Sequence, residues 1–284
     1  MKLSFGGVDN DLPSFKKAKA VILPVPYGKT VTYRKGTEKG PSAILKASDN
    51  LELFDGEINK EIYKIGINTL SPLKVNGLKP EKMIKVVEDK VFDIFKKKKF
   101  PVILGGEHSV TIGAVRAMKK HYKDLSILYF DAHYDLRDKH KGSRYNHACV
   151  ARRLIEISPV IEAGVRSLSK EEFDFLPDKN VKVIKMLDMM KRPDWEKDVK
   201  KYLSKNVYIS VDLDVLDPSI MPSVGTPEPG GMGWYGLLRG LRKIIADKKI
   251  VGFDVVELSP IKDMISPDFT AAKLVYKMLG YVFC

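Results

Sequence analysis

Apolar residues recur along the chain in short runs rich in β-branched and aromatic side chains, at 21–25, 62–67, 102–104, 127–130, 160–165, 181–184, 207–211 and 250–256. The runs show no polar alternation and are too short for helices, so they read as strands buried on both faces. Between most of them lie segments with the three-to-four-residue apolar spacing of amphipathic helices, among them 81–95, 110–121 and 234–245. Eight strands alternating with helices predict an α/β chain with a parallel sheet covered on each side. A closed eight-stranded barrel fits that count as well. The polar motifs described next favour an open three-layer α/β/α sandwich with a mostly parallel eight-stranded sheet. No internal repeat, low-complexity tract or linker interrupts the pattern, so residues 1–284 are expected to form one domain.

Two of the runs lead straight into clustered carboxylates and imidazole. Asp131-Ala132-His133-Tyr134-Asp135 follows the run at 127–130, and Asp212-Leu213-Asp214 follows that at 207–211. Side chains on extended backbone alternate faces with period two, so Asp131, His133 and Asp135 share one face, as do Asp212 and Asp214. Four gathered carboxylates repel one another unless a cation sits among them. Hard oxygen donors mixed with imidazole suit a divalent metal such as Mn²⁺, and this many donors suit two ions. His108, in Gly105-Gly106-Glu107-His108-Ser109, follows the run at 102–104, where two glycines permit a tight turn. Alone, that histidine reads as a structural hydrogen bonder and the Asp212 segment equally as a turn, whereas three potential ligands at alternate positions make a turn a poor reading of Asp131–Asp135. Their recurrence at strand ends, where α/β proteins collect their active sites, favours a metal centre.

Composition narrows the class further. The formal charge of +13 invites a nucleic-acid reading. The lysines are dispersed, however, and the densest run, Lys96 to Lys99, falls where cations complement a helix C-terminus. No aromatic-interleaved basic motif is present, so nucleic acid is not an expected partner. No apolar run approaches the roughly 20 residues that span a bilayer, and no leader-like basic and apolar pair opens the chain. Cys149 and Cys284 form no spaced metal or disulfide pattern, so a reducing cytoplasm is the expected location. Abundant lysine with no glutamine points weakly to a thermophilic source.

Taken together, the motifs resemble the ureohydrolase family, which includes arginase and agmatinase. The likeness runs nearly end to end: Pro26-Tyr27-Gly28, Tyr33-Arg34-Lys35-Gly36 through Gly40-Pro41, Gly-Gly-Glu-His108, Asp-Ala-His-Tyr-Asp135, Asp-Leu-Asp214-Val-Leu-Asp-Pro218, Gly225-Thr-Pro-Glu-Pro-Gly-Gly231 and Asp254-Val-Val-Glu-Leu-Ser-Pro260. The resemblance implies an eight-stranded parallel sheet and two Mn²⁺ per subunit. One ion would take His108, Asp131, Asp135 and Asp212, and the other Asp131, His133, Asp212 and Asp214, so that Asp131 and Asp212 bridge. It further implies attack of a metal-bridging hydroxide on a guanidinium carbon, Glu257 as the carboxylate that grips the guanidinium, and His147 as the loop histidine that relays protons. Asp135 would also orient the hydroxide. Ala148 stands where the family more often has glycine, while His121 and His140 match no ligand position and are expected in solvent. Homo-oligomers, trimers or hexamers, are usual in such proteins.

The loop Asp138-Lys-His-Lys-Gly142-Ser-Arg-Tyr-Asn146 resembles agmatinases rather than arginases, and shows no anchor for an α-carboxylate. Two divalent ions among four aspartates, Glu257 and a hydroxide leave about −2 in formal charge, which suits a small cationic guanidino substrate. Agmatine, hydrolysed to putrescine and urea, is the expected substrate. Arginine, guanidinobutyrate and aminopropylagmatine are the alternatives within the family. A two-metal phosphoesterase would need a phosphate-cradling glycine loop, which is not evident, and an inactive metal-binding module would not need His147 or Glu257.

Overall fold

The computed structural model describes residues 3–7, 14–176 and 180–284. In chain order the strands are β1 (Ala20–Val25), β2 (Phe54–Asp55), β3 (Lys60–Glu61), β4 (Ile67–Thr69), β5 (Phe100–Gly105), β6 (Leu125–Phe130), β7 (Val160–Val165), β8 (Val181–Lys185), β9 (Asn206–Asp212) and β10 (Lys249–Val256). Eight of them form one all-parallel sheet in the order β4-β1-β5-β10-β9-β6-β7-β8, while β2 and β3 pair antiparallel apart from it. The sheet is open, as the sandwich reading expects and the barrel alternative does not.

Each continuous apolar run feeds two cores, because successive side chains leave opposite faces of the sheet. Ala20, Ile22, Val102 and Leu104 enter one core with the helices Gly40–Ser48, Trp234–Ile245 and Ser266–Phe283. Val21, Leu23 and Ile103 enter the other with Pro80–Lys96 and Val110–Lys119. At about 1.5–3 kcal/mol for each large aliphatic side chain taken from water, these two layers are the main stabilising force in the fold. Among the described residues, no helix is long and apolar enough to cross a membrane.

The structure corrects the sequence pattern in two places. The expected strand over 62–67 is a 3₁₀ turn, Ile62–Ile65, with only Ile67–Thr69 extended. Gly66, at φ +82°, separates the two, a backbone angle that glycine adopts without strain. The other is β8, which is an edge strand rather than one buried on both faces. It exposes Lys182 and Lys185, and such charges discourage pairing with a further chain.

Strands β9 and β10 lie between β5 and β6, so the carboxyl ends of four central strands stand side by side. The segments that follow them carry His108, Asp131, Asp214 and Glu257.

Candidate metal centre and active-site cavity

The turn after β5 sets the first ligand candidate. Gly106 donates its N–H to Val25 O, and a Cβ on it would stand 2.0 Å from Tyr27 O, so any larger residue would break the turn. Beyond it His108 is fully buried, its ring stacked on Tyr129 with centroids 4.5 Å apart and an interplanar angle of 3°.

Asp131, Asp212 and Asp214 share one device, in which a backbone amide fixes one oxygen and leaves the other to face the centre. His133 N–H donates to Asp131 Oδ1 at 2.6 Å, Asp214 N–H to Asp212 Oδ1 at 2.9 Å, and Ala132 N–H to Asp214 Oδ1 at 2.9 Å. The second oxygens meet imidazole. Asp212 Oδ2 and Asp131 Oδ2 lie 3.0 and 3.1 Å from His108 Nδ1, and Asp214 Oδ2 lies 2.8 Å from His133 Nδ1. Asp131 Oδ2 is buried without an aligned hydrogen-bond donor.

Hydrogen bonding around His108 is set by two neighbouring hydroxyls. Ser210 Oγ donates to Asp254 Oδ1 at 2.6 Å, so it accepts from His108 Nε2–H at 2.8 Å. Tyr129 OH likewise spends its proton on Asp135 Oδ2 at 2.8 Å. Nδ1 of His108 therefore faces only carboxylate and phenol oxygens, an all-acceptor setting that a proton on Nδ1 or a metal ion would satisfy. Against the opposing effect of burial, the surrounding carboxylates push His133 up to about 12 and His108 well above the usual imidazole range, so that protons take the place a metal would fill. Burial raises Asp212, Asp135 and Asp214, again consistent with uncompensated negative charge. Two groups, His108–Asp131–Asp212 and Asp131–His133–Asp214, each bring their ligand atoms within 4.8 Å of one another, and both could hold an ion. Asp131 is common to the two; Asp212 belongs to the first group. Asp135 belongs to neither, though its Oδ2 lies 3.9 Å from His108 Nδ1.

The cavity above these groups, about 290 Å³, is also lined by Thr32, Tyr33, His140, His147 and Glu257. His108 N–H donates to Glu257 Oε1 at 2.7 Å, and among the described residues nothing donates to Oε2. His147 Nδ1 faces the same Oε1 at 3.9 Å. Burial, reinforced by neighbouring histidines, lowers His147 to about 4, so its ring is neutral at pH 7. Burial, with Glu107 nearby, raises Glu257 to about 8. Asp135 and Glu257 both have left-handed backbone, φ +49° and +66°. Non-glycine residues in such conformations cost on the order of 1–3 kcal/mol and cluster at functional sites.

The structure thus brings Asp131, His133, Asp135, Asp212, Asp214, His147 and Glu257 to one cavity, with His108 buried against them, from segments up to 149 residues apart. His140 departs from its expected place in solvent. It is half-buried in the cavity wall, where its backbone bonds Ser143 and closes the loop tip. His121 is exposed as expected. Sequence reasoning missed Tyr129, Ser210 and Asp254 as supports of His108. The one available signal was alternation: Ser210 precedes Asp212 by two positions, on the same face of β9.

The arginase family model matches residues 18–280. The N(1)-aminopropylagmatine ureohydrolase of Synechocystis sp. is 38% identical over 278 residues, covering 95% of this chain and 91% of that protein. The agmatinase of Pyrococcus horikoshii is 34% identical over 284 residues, covering 98% and 97%. The crystal structure of the agmatine ureohydrolase of Thermoplasma volcanium superposes with a TM-score of 0.89 at 34% identity, covering 98% of this chain and 94% of that one.

Proposed function

The chain belongs to the arginase family of ureohydrolases, and on that premise we propose that it hydrolyses a small guanidino cation to urea and an amine, N1-aminopropylagmatine before agmatine. The observation that carries the reaction is Asp131 shared by two His/Asp groups, in a cavity that also holds Glu257 and His147. The aminopropyl substrate is favoured over agmatine by the higher identity to relatives of that name, 38% against 34%. It replaces the plain agmatine reading, and both are cations without a carboxylate to anchor.

Two Mn²⁺ are the proposed cofactor, held by His108, Asp131, Asp135, Asp212, His133 and Asp214. Such ions supply Lewis acidity, making water acidic enough to be a nucleophile near neutral pH. The chain's own groups do the rest. Glu257 offers Oε2 to the N–H groups of the guanidinium, a match of planar fork to carboxylate that fixes the carbon in place. His147 takes up the proton that the nucleophilic water releases and delivers it from Nδ1 to the departing amine, which cannot leave as an anion. Asp135 accepts a hydrogen bond that orients the attacking water.

Urea release from a panel of guanidino compounds by manganese-loaded protein tests the reading. Aminopropylagmatine should exceed arginine in kcat/KM by at least about tenfold, equivalent to ~1.4 kcal/mol of transition-state binding. Equal values for those two would overturn the substrate assignment, and no urea from any member would overturn the reaction.

Glu257 can be tested without the ions. Below about 8 its carboxyl is neutral and above it charged, whereas guanidinium keeps its charge throughout. Metal-free protein should therefore bind guanidinium about tenfold more tightly at pH 9 than at pH 7, following the ionised fraction. Titration calorimetry with chelator present should find this dependence flattened in Glu257→Gln. Equal slopes in the two proteins would remove Glu257 from guanidinium binding.

A further inference from the structure

The ring of His147 makes one hydrogen bond among the described residues, from Nε2 to Thr32 Oγ1 at 3.2 Å. Thr32 sits on a segment tied down at both sides. On one side, Thr30 donates its N–H and its hydroxyl to the buried Glu107 carboxylate at 2.6 and 2.7 Å, and Ser109 Oγ completes that carboxylate at 2.5 Å. The same Thr30 hydroxyl accepts His147 N–H at 2.9 Å, and Thr30 O accepts Asn146 Nδ2 at 3.3 Å. On the other side, Arg34 N–H reaches Gly225 O at 3.4 Å, and its guanidinium reaches Pro260 O at 3.2 Å. Glu107 therefore fixes the histidine's backbone and the segment bearing Thr32 together, through a single threonine.

We propose that Thr32 is the positioning residue of His147: its hydroxyl holds Nε2 so that Nδ1, and not a ring carbon, faces the guanidinium beside Glu257. The proposal rests on the hydrolytic reading above. Rotating an imidazole by half a turn about Cβ–Cγ replaces Nδ1 with Cδ2, which carries no transferable proton. A bond at Nε2 from an anchored partner selects one of the two orientations. The partner's chemistry matters equally. The hydroxyl accepts from Nε2–H while Nδ1 is bare to take up the water's proton, while both nitrogens are protonated, and once Nδ1 has given its proton away. It therefore serves the ring before and after transfer. A carboxylate would also accept, but would bind the protonated ring too firmly for it to release.

Thr32→Val removes the hydroxyl at nearly constant shape, and Thr32→Ser restores it. With manganese loaded, Thr32→Val should lower kcat by about 10- to 100-fold, the range for a misplaced reacting group, and leave KM within about threefold. Its metal content and melting temperature should match wild type, and Thr32→Ser should recover most of kcat. Long-range ¹H–¹⁵N spectra, assigned with His147→Asn, should show one His147 tautomer in wild type and a mixture in Thr32→Val. A Thr32→Val kcat within about threefold of wild type, or a serine variant as impaired as the valine one, would overturn the proposal. Should wild type release no urea at all, the reaction assignment falls, and the nitrogen spectra still decide whether Thr32 fixes the ring.

Discussion

Asp131→Ala is expected to lose both metal ions and to lower urea release by at least about 10³-fold, beyond the 10–100-fold that changes outside the ligand shell cost. The expectation follows from geometry: Asp131 alone belongs to both His/Asp groups, and its Oδ2 is a buried oxygen with no aligned donor. Asp214→Ala should be graded differently, sparing the His108–Asp131–Asp212 group and losing the ion on the His133 side. Elemental analysis of the two variants separates the cases, with metal per chain near zero for the first and near one for the second. Chelation of wild type should abolish activity, and Mn²⁺ should restore it better than Mg²⁺ or Zn²⁺. Full turnover by exhaustively demetallated protein would end the scheme.

His147→Asn should keep its metal yet lower kcat by on the order of 10²–10⁴-fold, the usual loss for a missing acid–base group. The ring lines the same cavity as the aspartates, with Nδ1 at 3.9 Å from Glu257 Oε1, and belongs to neither group that could hold an ion. Added small amines or imidazole should recover part of the rate, because what is missing is a proton carrier rather than a ligand. Elemental analysis showing one ion lost in His147→Asn would make the residue a ligand and refute the relay. Its low affinity for protons, about 4 after burial, means the ring enters the reaction neutral at pH 7 and must gain its proton during turnover. The rate should therefore show no loss of activity attributable to neutral His147 as pH rises from 6 to 8.

Strand positions were legible because two buried faces leave apolar runs that need no knowledge of neighbours. The misreading at 62–67 has the same origin. Ile62 and Ile65 are three apart, the spacing of a 3₁₀ turn, and the intervening Tyr63 made the stretch look continuous. The candidate ligands were visible because they are carboxylates and imidazoles at alternate positions beside strand ends. Their supports were not. Thr30 meets Glu107 across 77 residues and His147 across 117, and a threonine carries no periodic or compositional mark. Tyr129 and Ser210 are spaced as ordinary strand residues, and only the side-by-side placement of β6 and β9 gives them a partner in His108.

On the ribosome, β9 and β10 are made last among the described strands, yet they occupy the middle of the finished sheet. Two part-sheets, β4-β1-β5 and β6-β7-β8, are complete before the segment that joins them exists. Until it arrives, β5 and β6 each present an unpaired edge of buried-type side chains, the condition under which nascent chains associate wrongly. Closing the sheet also needs contacts between residues far apart in sequence, which form slowly. The cluster itself is divided between β6 and β9, with Asp131 and His133 on one side of the gap and Asp212 and Asp214 on the other. A part-made chain thus lacks a donor from each of the two His/Asp groups, and metal loading would report completed synthesis.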